Sequence, residues 1–335
     1  KLQKLMTVLA GRTRMLIVMQ DHPDPDALAA AVALRRLVNA QTDIRCSLTH
    51  GGTIGRGENR ALVRYLGLNL LPIDTVILEH FDVVAMVDAQ PGTGNQSLSV
   101  ARDPDIVIDH HPFRKITRQS PFTDVRRHYG ATSSILFEYL AEAKVDIDVP
   151  LATALLYGIR SDTQDLGREA IAADIAAIES LYPLANKRML SAIQRGSVPR
   201  DYFRVLSTGL RNARQYGVAI ITNLEQIDNP DMVGEVADLF LREEQTQWTL
   251  CMGFVEKRMI LSLRTSGETP YAEQVIRRIV SRRGAGGGHL TYAGGQIPLK
   301  KETKTEALEL ERLVRRRFLR SLGIQDTKGC YLAQV

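Results

Sequence analysis

The sequence predicts an α/β protein of two domains, the first a doubly wound, mostly parallel sheet and the second a smaller α/β unit. Three observations carry this. Short β-branched runs alternate with helical patterns through residues 1–195, several of those runs stop at an acid or an imidazole, and a second alternation starts after residue 212. At 335 residues there is ample core for two domains. The expected boundaries are 1–195, a helical connector over 196–212, and 213–325, with Ser197–Pro199 as the hinge.

Met15 to Gln20 reads as the first strand. The helix after it, Asp24 to Asn39, spaces Ala27, Leu28, Ala31, Leu34 and Val38 to face a sheet. Ile44–Thr49, Val83–Asp88 and Asp105–Asp109 read as further strands and Glu58–Leu66 as a helix. Thr132 is read as the N-cap of a helix reaching Ala143, and Ala152–Ile159 and Ala170–Leu184 as helices. In the second part, Gly217–Thr222, Thr249–Val255 and Met259–Arg264 read as strands. Asp231–Leu241, Tyr271–Ser281 and Lys304–Ser321 read as helices, the last burying Leu308, Leu313 and Leu319 and leaving Arg315, Arg316, Arg317 and Arg320 on a solvated face.

A composition of 44% hydrophobic and 24% charged residues is that of a soluble globular protein. No apolar run reaches the roughly 20 residues a membrane span needs, and the N-terminus lacks a signal-peptide pattern, so the expected location is cytoplasmic. The chain opens at Lys1 rather than Met, as expected either of a trimmed chain or of part of a longer polypeptide. Cys46, Cys251 and Cys330 have no metal or disulfide spacing and read as plain thiols. Of the net +5, residues 205–335 hold +4, and bound divalent cations would make the first part positive too. Both parts then suit a polyanion such as a nucleotide, against the plainer reading of a solvated basic surface.

The chemistry centres on Val107-Ile-Asp-His-His111, where a buried strand opens into two imidazoles and a carboxylate. That donor set suits Mn, Zn or Fe better than Ca; alone it could equally be a hydrogen-bonded pair at a strand end. Asp24 and Asp26 follow the first strand, Asp88 ends the Val83 strand, and Asp162 follows a helical run. Each could merely cap a turn or helix, but four acid-bearing ends converging on one crevice would make a two-metal site. A second feature is Gly284-Ala-Gly-Gly-Gly-His289. Its glycines allow backbone N–H groups to approach an anion, whereas Walker and dinucleotide-binding spacings are missing.

Together these pieces resemble the DHH phosphoesterases with a C-terminal DHHA1 domain. The matching segments are Asp24-Pro-Asp26-Ala, Val87-Asp88, Asp109-His-His-Pro112, Gly130-Ala-Thr-Ser133, Gly158-Ile-Arg-Ser-Asp162-Thr and Gly286-Gly-Gly-His289. Within that family the sequence is most similar to the nanoRNase and phosphoadenosine-phosphate phosphatase group. The resemblance implies two Mn ions, one held by Asp24 and Asp88, the other by Asp26, Asp88, His110 and Asp162, with Asp88 as the bridge. It also implies that His111 faces the substrate phosphate, that Asp109 orients a ligating histidine, and that Arg264, Gly286, Gly287, Gly288 and His289 bind substrate. One departure is Gln20, where the nanoRNase branch carries His. Either His22 replaces that ligand or the first metal is held weakly beside Gln20.

The expected activity is Mn-dependent hydrolysis of short oligoribonucleotides, linear dinucleotides or nucleoside 3',5'-bisphosphates by two-metal attack of water on phosphorus. The alternatives are a cyclic dinucleotide phosphodiesterase, an exopolyphosphatase, or a nucleotide sensor with an impaired metal site. Expected partners are the short nucleotide and a second copy in a homodimer, with no membrane and no duplex DNA.

Overall fold

The computed structural model describes every residue except 99–101, 169, 268–269, 289, 302 and 334–335. It divides the chain into Lys1–Ser197 and Val198–Val335.

The first unit contains α1 (Leu2–Leu9), β1 (Arg14–Val18), α2 (Pro25–Gln41), β2 (Arg45–His50), α3 (Gly57–Tyr65), β3 (Leu70–Pro72), β4 (Val83–Val87), β5 (Ile106–Asp109), β6 (Phe122–Val125), α4 (Thr132–Glu142), α5 (Val149–Asp162), α6 (Ala172–Leu181) and α7 (Lys187–Gln194). Its strands run in the order β3-β2-β1-β4-β5-β6 and every pairing is parallel. The order reverses between β1 and β4, and at such a switch point loops diverge to opposite faces and open a crevice at the strands' carboxyl ends. β4 is buried at all five positions and β5 at all four, as strands covered on both faces require. Helix α2 starts on Pro25 with Asp24 as its N-cap, and its run of small and aliphatic residues is buried from Ala27 through Leu34.

Gly158 lets the helices close up behind the crevice. A Cβ there would lie 2.6 Å from Ser133 Oγ and 3.2 Å from Ala29 Cβ and Asp26 Cα, so only glycine permits this approach of α5 to α2 and α4.

The second unit contains α8 (Arg200–Asn212), β7 (Arg214–Tyr216), β8 (Ala219–Gln226), α9 (Asp231–Phe240), β9 (Trp248–Val255), β10 (Arg258–Thr265), α10 (Ala272–Val280), β11 (Ala285–Gly288), β12 (Tyr292–Pro298), α11 (Lys304–Ser321) and β13 (Cys330–Tyr331). Its seven-stranded sheet, β11-β12-β10-β9-β8-β7-β13, is antiparallel apart from the β8–β9 pair.

Several expectations change. The connector is two helices separated around Pro199, and α8 lies in the second unit, where Val205 joins Ile220, Leu224 and Val236 in one core cluster. The glycine stretch is no loop. Gly286, Gly287 and Gly288 pair with Gly295, Gly294 and Ala293 as edge strand β11, and Gly284 passes so close to Gln296 that a Cβ would overlap its carbonyl. Helix α11 buries Leu310, Val314, Phe318 and Leu319, with Leu313 partly buried against the same core; of the three leucines expected inside, Leu308 alone, 54% exposed, faces solvent. The N-cap of α4 is Ala131, because the Thr132 hydroxyl is drawn away to Asp88.

Candidate metal centre

Four segments meet at the switch point: the β1–α2 turn, the ends of β4 and β5, and the C-terminus of α5. Asp88 leaves β4 with φ +54, a left-handed conformation that asparagine and aspartate tolerate better than most residues. Its N–H donates to Ile108 O across the sheet, and its Oδ1 accepts from Thr132 Oγ1 at 2.9 Å. Asp26, fully buried, turns both carboxylate oxygens onto the first turn of α4, accepting from Thr132 N at 2.7 Å and Ser133 N at 2.8 Å. A helix N-terminus with unsatisfied N–H groups is a natural seat for that charge. The turn leading into it is held by Asp174, which accepts from Gly130 N and Ile171 N.

His110 lies between the carboxylates. Its Nδ1 is 3.1 Å from Tyr129 O; a carbonyl can only accept, so Nδ1 bears the proton and Nε2 presents a lone pair. That Nε2 is 3.0 Å from Asp162 Oδ2 and 3.5 Å from Asp88 Oδ1, is buried, and has no hydrogen bond of good geometry. A lone pair facing carboxylate oxygens is repulsive unless a cation lies between them or the ring takes a second proton. The charges register the same demand. Burial opposes protonation of His110, yet the Asp162 carboxylate beside it raises its pKa to about 10. Burial and then Asp162 push Asp26 up to about 6. Asp24 is raised by burial and then by Asp162, and Asp88 well above the carboxylate range by burial, Asp26 and Asp24.

Two donor clusters result among the described residues: Asp88, His110 and His111, and Asp26, His110 and Asp162, each with its ligand atoms within 4.8 Å of one another. With the orphaned Nε2, this carboxylate and imidazole set fits a divalent transition metal. Bound ions of that kind would act as Lewis acids toward a phosphate ester and its attacking water.

The expected residues divide by what they contact. Asp109 was expected to orient a ligating histidine; the imidazole its Oδ1 holds is that of His111, accepting from Nδ1 at 2.9 Å, and it also accepts from His110 N, while Oδ2 accepts from Gln90 Nε2. Against burial, the hydrogen bond from His111 holds the Asp109 carboxyl below its ordinary value. This fixes the His111 tautomer with Nε2 as the acceptor. Asp162, the last residue of α5, is likewise lowered against burial by His110, and Arg168 also contacts it. Asp24 joins neither cluster: its Oδ1 caps α2 through Ala27 N, and its Oδ2 accepts from the Gln20 amide at 2.8 Å. His22, with φ +57, packs its ring against Gly52 and sets its Nδ1 against the Thr53 backbone, within hydrogen-bond distance of either Thr53 O or Thr53 N, and it joins neither cluster.

In the second unit Arg264 pairs with Asp238, donates to Ser262 Oγ and lies over the Tyr292 ring. The register sets Arg264 opposite Tyr292, next to the Ala293–Gly288 pair, so Arg264 and the Gly288 end of β11 share one end of the sheet. His289 lies outside the described residues.

Gln90 and Thr132 were missed as site residues. Gln90 braces the segment after His111, donating to Asp109 while its Oε1 accepts from Arg114 N and Thr117 Oγ1. Its only sequence signal was its place two residues after Asp88. Thr132 stood in the Gly130–Ser133 motif, where a capping assignment concealed its contact with Asp88.

The fold and site define a class: a doubly wound α/β domain with a carboxylate-histidine centre at its switch point. Residues 14–159 match the family model described as "DHH family, N-terminal domain", a family whose members are phosphodiesterases and phosphatases. An uncharacterized protein of Methanocaldococcus jannaschii is 32% identical over 318 residues, covering 93% of this chain and 65% of that protein. The cyclic-di-AMP phosphodiesterase GdpP of Geobacillus thermodenitrificans is 23% identical over 315 residues, covering 88% of this chain and 46% of the relative. The chain thus spans about half to two thirds of these relatives. A crystal structure of an exopolyphosphatase-related protein from Bacteroides fragilis superposes with a TM-score of 0.73 at 16% identity, covering 96% of this chain and 97% of that one, a likeness of fold. Among the described residues no helix is long and apolar enough to cross a membrane.

Proposed function

We propose that this chain is a Mn-dependent phosphoesterase that hydrolyses short oligoribonucleotides or linear dinucleotides, and nucleoside 3',5'-bisphosphates, at the Asp88–His110 centre. The observation that carries the reading is His110 Nε2, a buried ring nitrogen with no hydrogen bond of good geometry, held among Asp26, Asp88 and Asp162 by the contact of Nδ1 with the Tyr129 carbonyl. In this reading Asp26, Asp88, His110 and Asp162 hold divalent ions, with Asp88 shared. His111, its Nδ1 proton committed to Asp109, keeps Nε2 as the nitrogen that hydrogen-bonds a phosphate-side group. Gln90 and Thr132 keep Asp109 and Asp88 from rotating out of place. In the second unit, Arg264 and the Gly286–Gly288 strand are the groups for the nucleotide's outer phosphate or base. A second reading, a cyclic dinucleotide phosphodiesterase, draws support from the similarity to GdpP along 88% of the chain.

The test is a substrate panel with the metal-stripped chain, with and without added Mn. Linear diadenylate, cyclic di-AMP, adenosine 3',5'-bisphosphate and inorganic polyphosphate are compared by product chromatography. Preference for linear dinucleotide, abolished by chelator, is expected. Preference for cyclic di-AMP establishes the second reading, and no turnover of any of them with Mn bound defeats both.

A further inference from the structure

At the opposite end of β12 from Arg264, the second unit has a concavity of about 720 Å³ between the β11 and β12 ends and α11. Tyr292, opposite Arg264, and Pro298, beside the concavity, are the two ends of one seven-residue strand, about 20 Å apart at the usual rise per residue. The two places are therefore separate.

Five cationic side chains line it: Arg282, Arg283, Lys300, Arg312 and Arg316. All are exposed, and none forms an ion pair or side-chain hydrogen bond with a described residue. Some neighbouring arginines differ. On the same helix Arg315 faces Glu311, and Arg317 donates to the carbonyls of Ile279 and Ser281. Elsewhere in the unit Arg277 pairs with Glu273 and Arg204 with Asp201. Arg312 and Arg316 stand four apart on one helix face, a spacing at which like charges repel by a few tenths of a kcal/mol. Arg282 adds a left-handed backbone, φ +63. Of the two acids in the lining, Glu306 is engaged with the backbone N–H groups of Lys300 and Lys301, fixing that turn. Five cations gathered from three segments around one hollow, against only Glu306 and Glu309 in the lining, are what an external polyanion would stabilise.

We propose that this cleft binds a phosphate chain, the backbone of a single-stranded oligonucleotide or inorganic polyphosphate, with guanidinium groups contacting successive phosphates. The site does not rest on the phosphoesterase reading. The full chain is tested in chelator, so that nothing is hydrolysed, by anisotropy of a dye-labelled oligouridylate across a salt series. Arg312→Gln with Arg316→Gln, and separately Arg282→Gln with Arg283→Gln, should each weaken binding about tenfold. The slope of log affinity against log salt should fall by roughly 0.7 for each phosphate that the variant no longer neutralises. Arg204→Gln, with its cation already paired elsewhere, should change neither. Displacement by polyphosphate but not by orthophosphate makes a phosphate chain sufficient, and displacement only by unlabelled oligonucleotide makes nucleic acid the source. Unchanged affinity and slope in both cleft variants overturns the proposal; if one variant misfolds, as judged by its melting curve, the other decides.

Discussion

Replacing Gly158 by alanine tests the packing that brings the site's acids together. By helix propensity alone the change should stabilise α5 by about 1 kcal/mol. The structure predicts the opposite, because the new methyl would sit 2.6 Å from Ser133 Oγ and 3.2 Å from Ala29 Cβ and Asp26 Cα. Overpacking of that kind costs about 1–3 kcal/mol. The expected net loss is about 1 kcal/mol, or roughly 2–4 °C in Tm for a unit of this size. Metal affinity should suffer more: Ser133 and Asp26 are the residues pushed, Asp162 is one turn further along α5, and displaced ligands or their supports typically lose about tenfold or more. Thermal melts of the metal-free chain and calorimetric Mn titration measure the two effects. Ser133→Ala removes the closest obstacle, so the double variant should be less destabilised than the two single changes added, with a coupling of about 1 kcal/mol. A Gly158→Ala protein that melts higher than the parent and binds Mn equally well would refute the packing argument.

Asp88→Asn keeps a residue that accepts φ +54 and so should fold, yet it should retain less metal per chain than Asp162→Asn; elemental analysis showing the reverse order removes Asp88 as the shared ligand. His110 titrates near 10 in the metal-free fold against 6.5 in its unperturbed state, so its contribution to stability is full below pH 6.5 and is lost as pH climbs toward 10. Mn needs the Nε2 lone pair, so Mn affinity should rise across that interval with proton release, visible as a buffer-dependent binding enthalpy; affinity that falls with pH contradicts this. His22→Ala should leave Mn affinity unchanged, since its ring is held by Thr53, whereas Gln20→His puts imidazole beside Asp24 and should tighten Mn; a large loss in His22→Ala would reverse that assignment.

The strands that carry the site were legible because they are short, β-branched and abruptly ended by acid or imidazole, a pattern that buried parallel strands rarely share with helices. The α/β alternation likewise announced a doubly wound sheet. What stayed hidden depended on partners far away in sequence. β11 and β12 are glycine-rich and have little strand propensity; they are strands because β10 offers a seven-residue ladder to pair with. β6 places buried Asp124 within a four-residue strand, tolerable because Arg126 and Tyr139 donate to it. Adjacency in Asp109-His110-His111 left open which imidazole the carboxylate would hold. The Tyr129 carbonyl decides it by taking the Nδ1 of His110.

The distribution of hydrogen-bond donors then separates the acids by role. Asp26 has two N–H groups of α4, Asp109 has Gln90, His111 and the His110 N–H, and Asp24 has Ala27 N and the Gln20 amide. Arg168 approaches Asp162. Among the described residues Asp88 is buried with a single hydroxyl donor, Thr132, and burial and the neighbouring acids pull its carboxyl well above the carboxylate range. A carboxylate kept dry, held in a left-handed backbone and given so few donors is costly to leave as a bare anion. That cost would be lifted most by bound cations, which is the physical ground for reading Asp88, rather than the acids around it that have more hydrogen-bond donors, as the shared ligand of the centre.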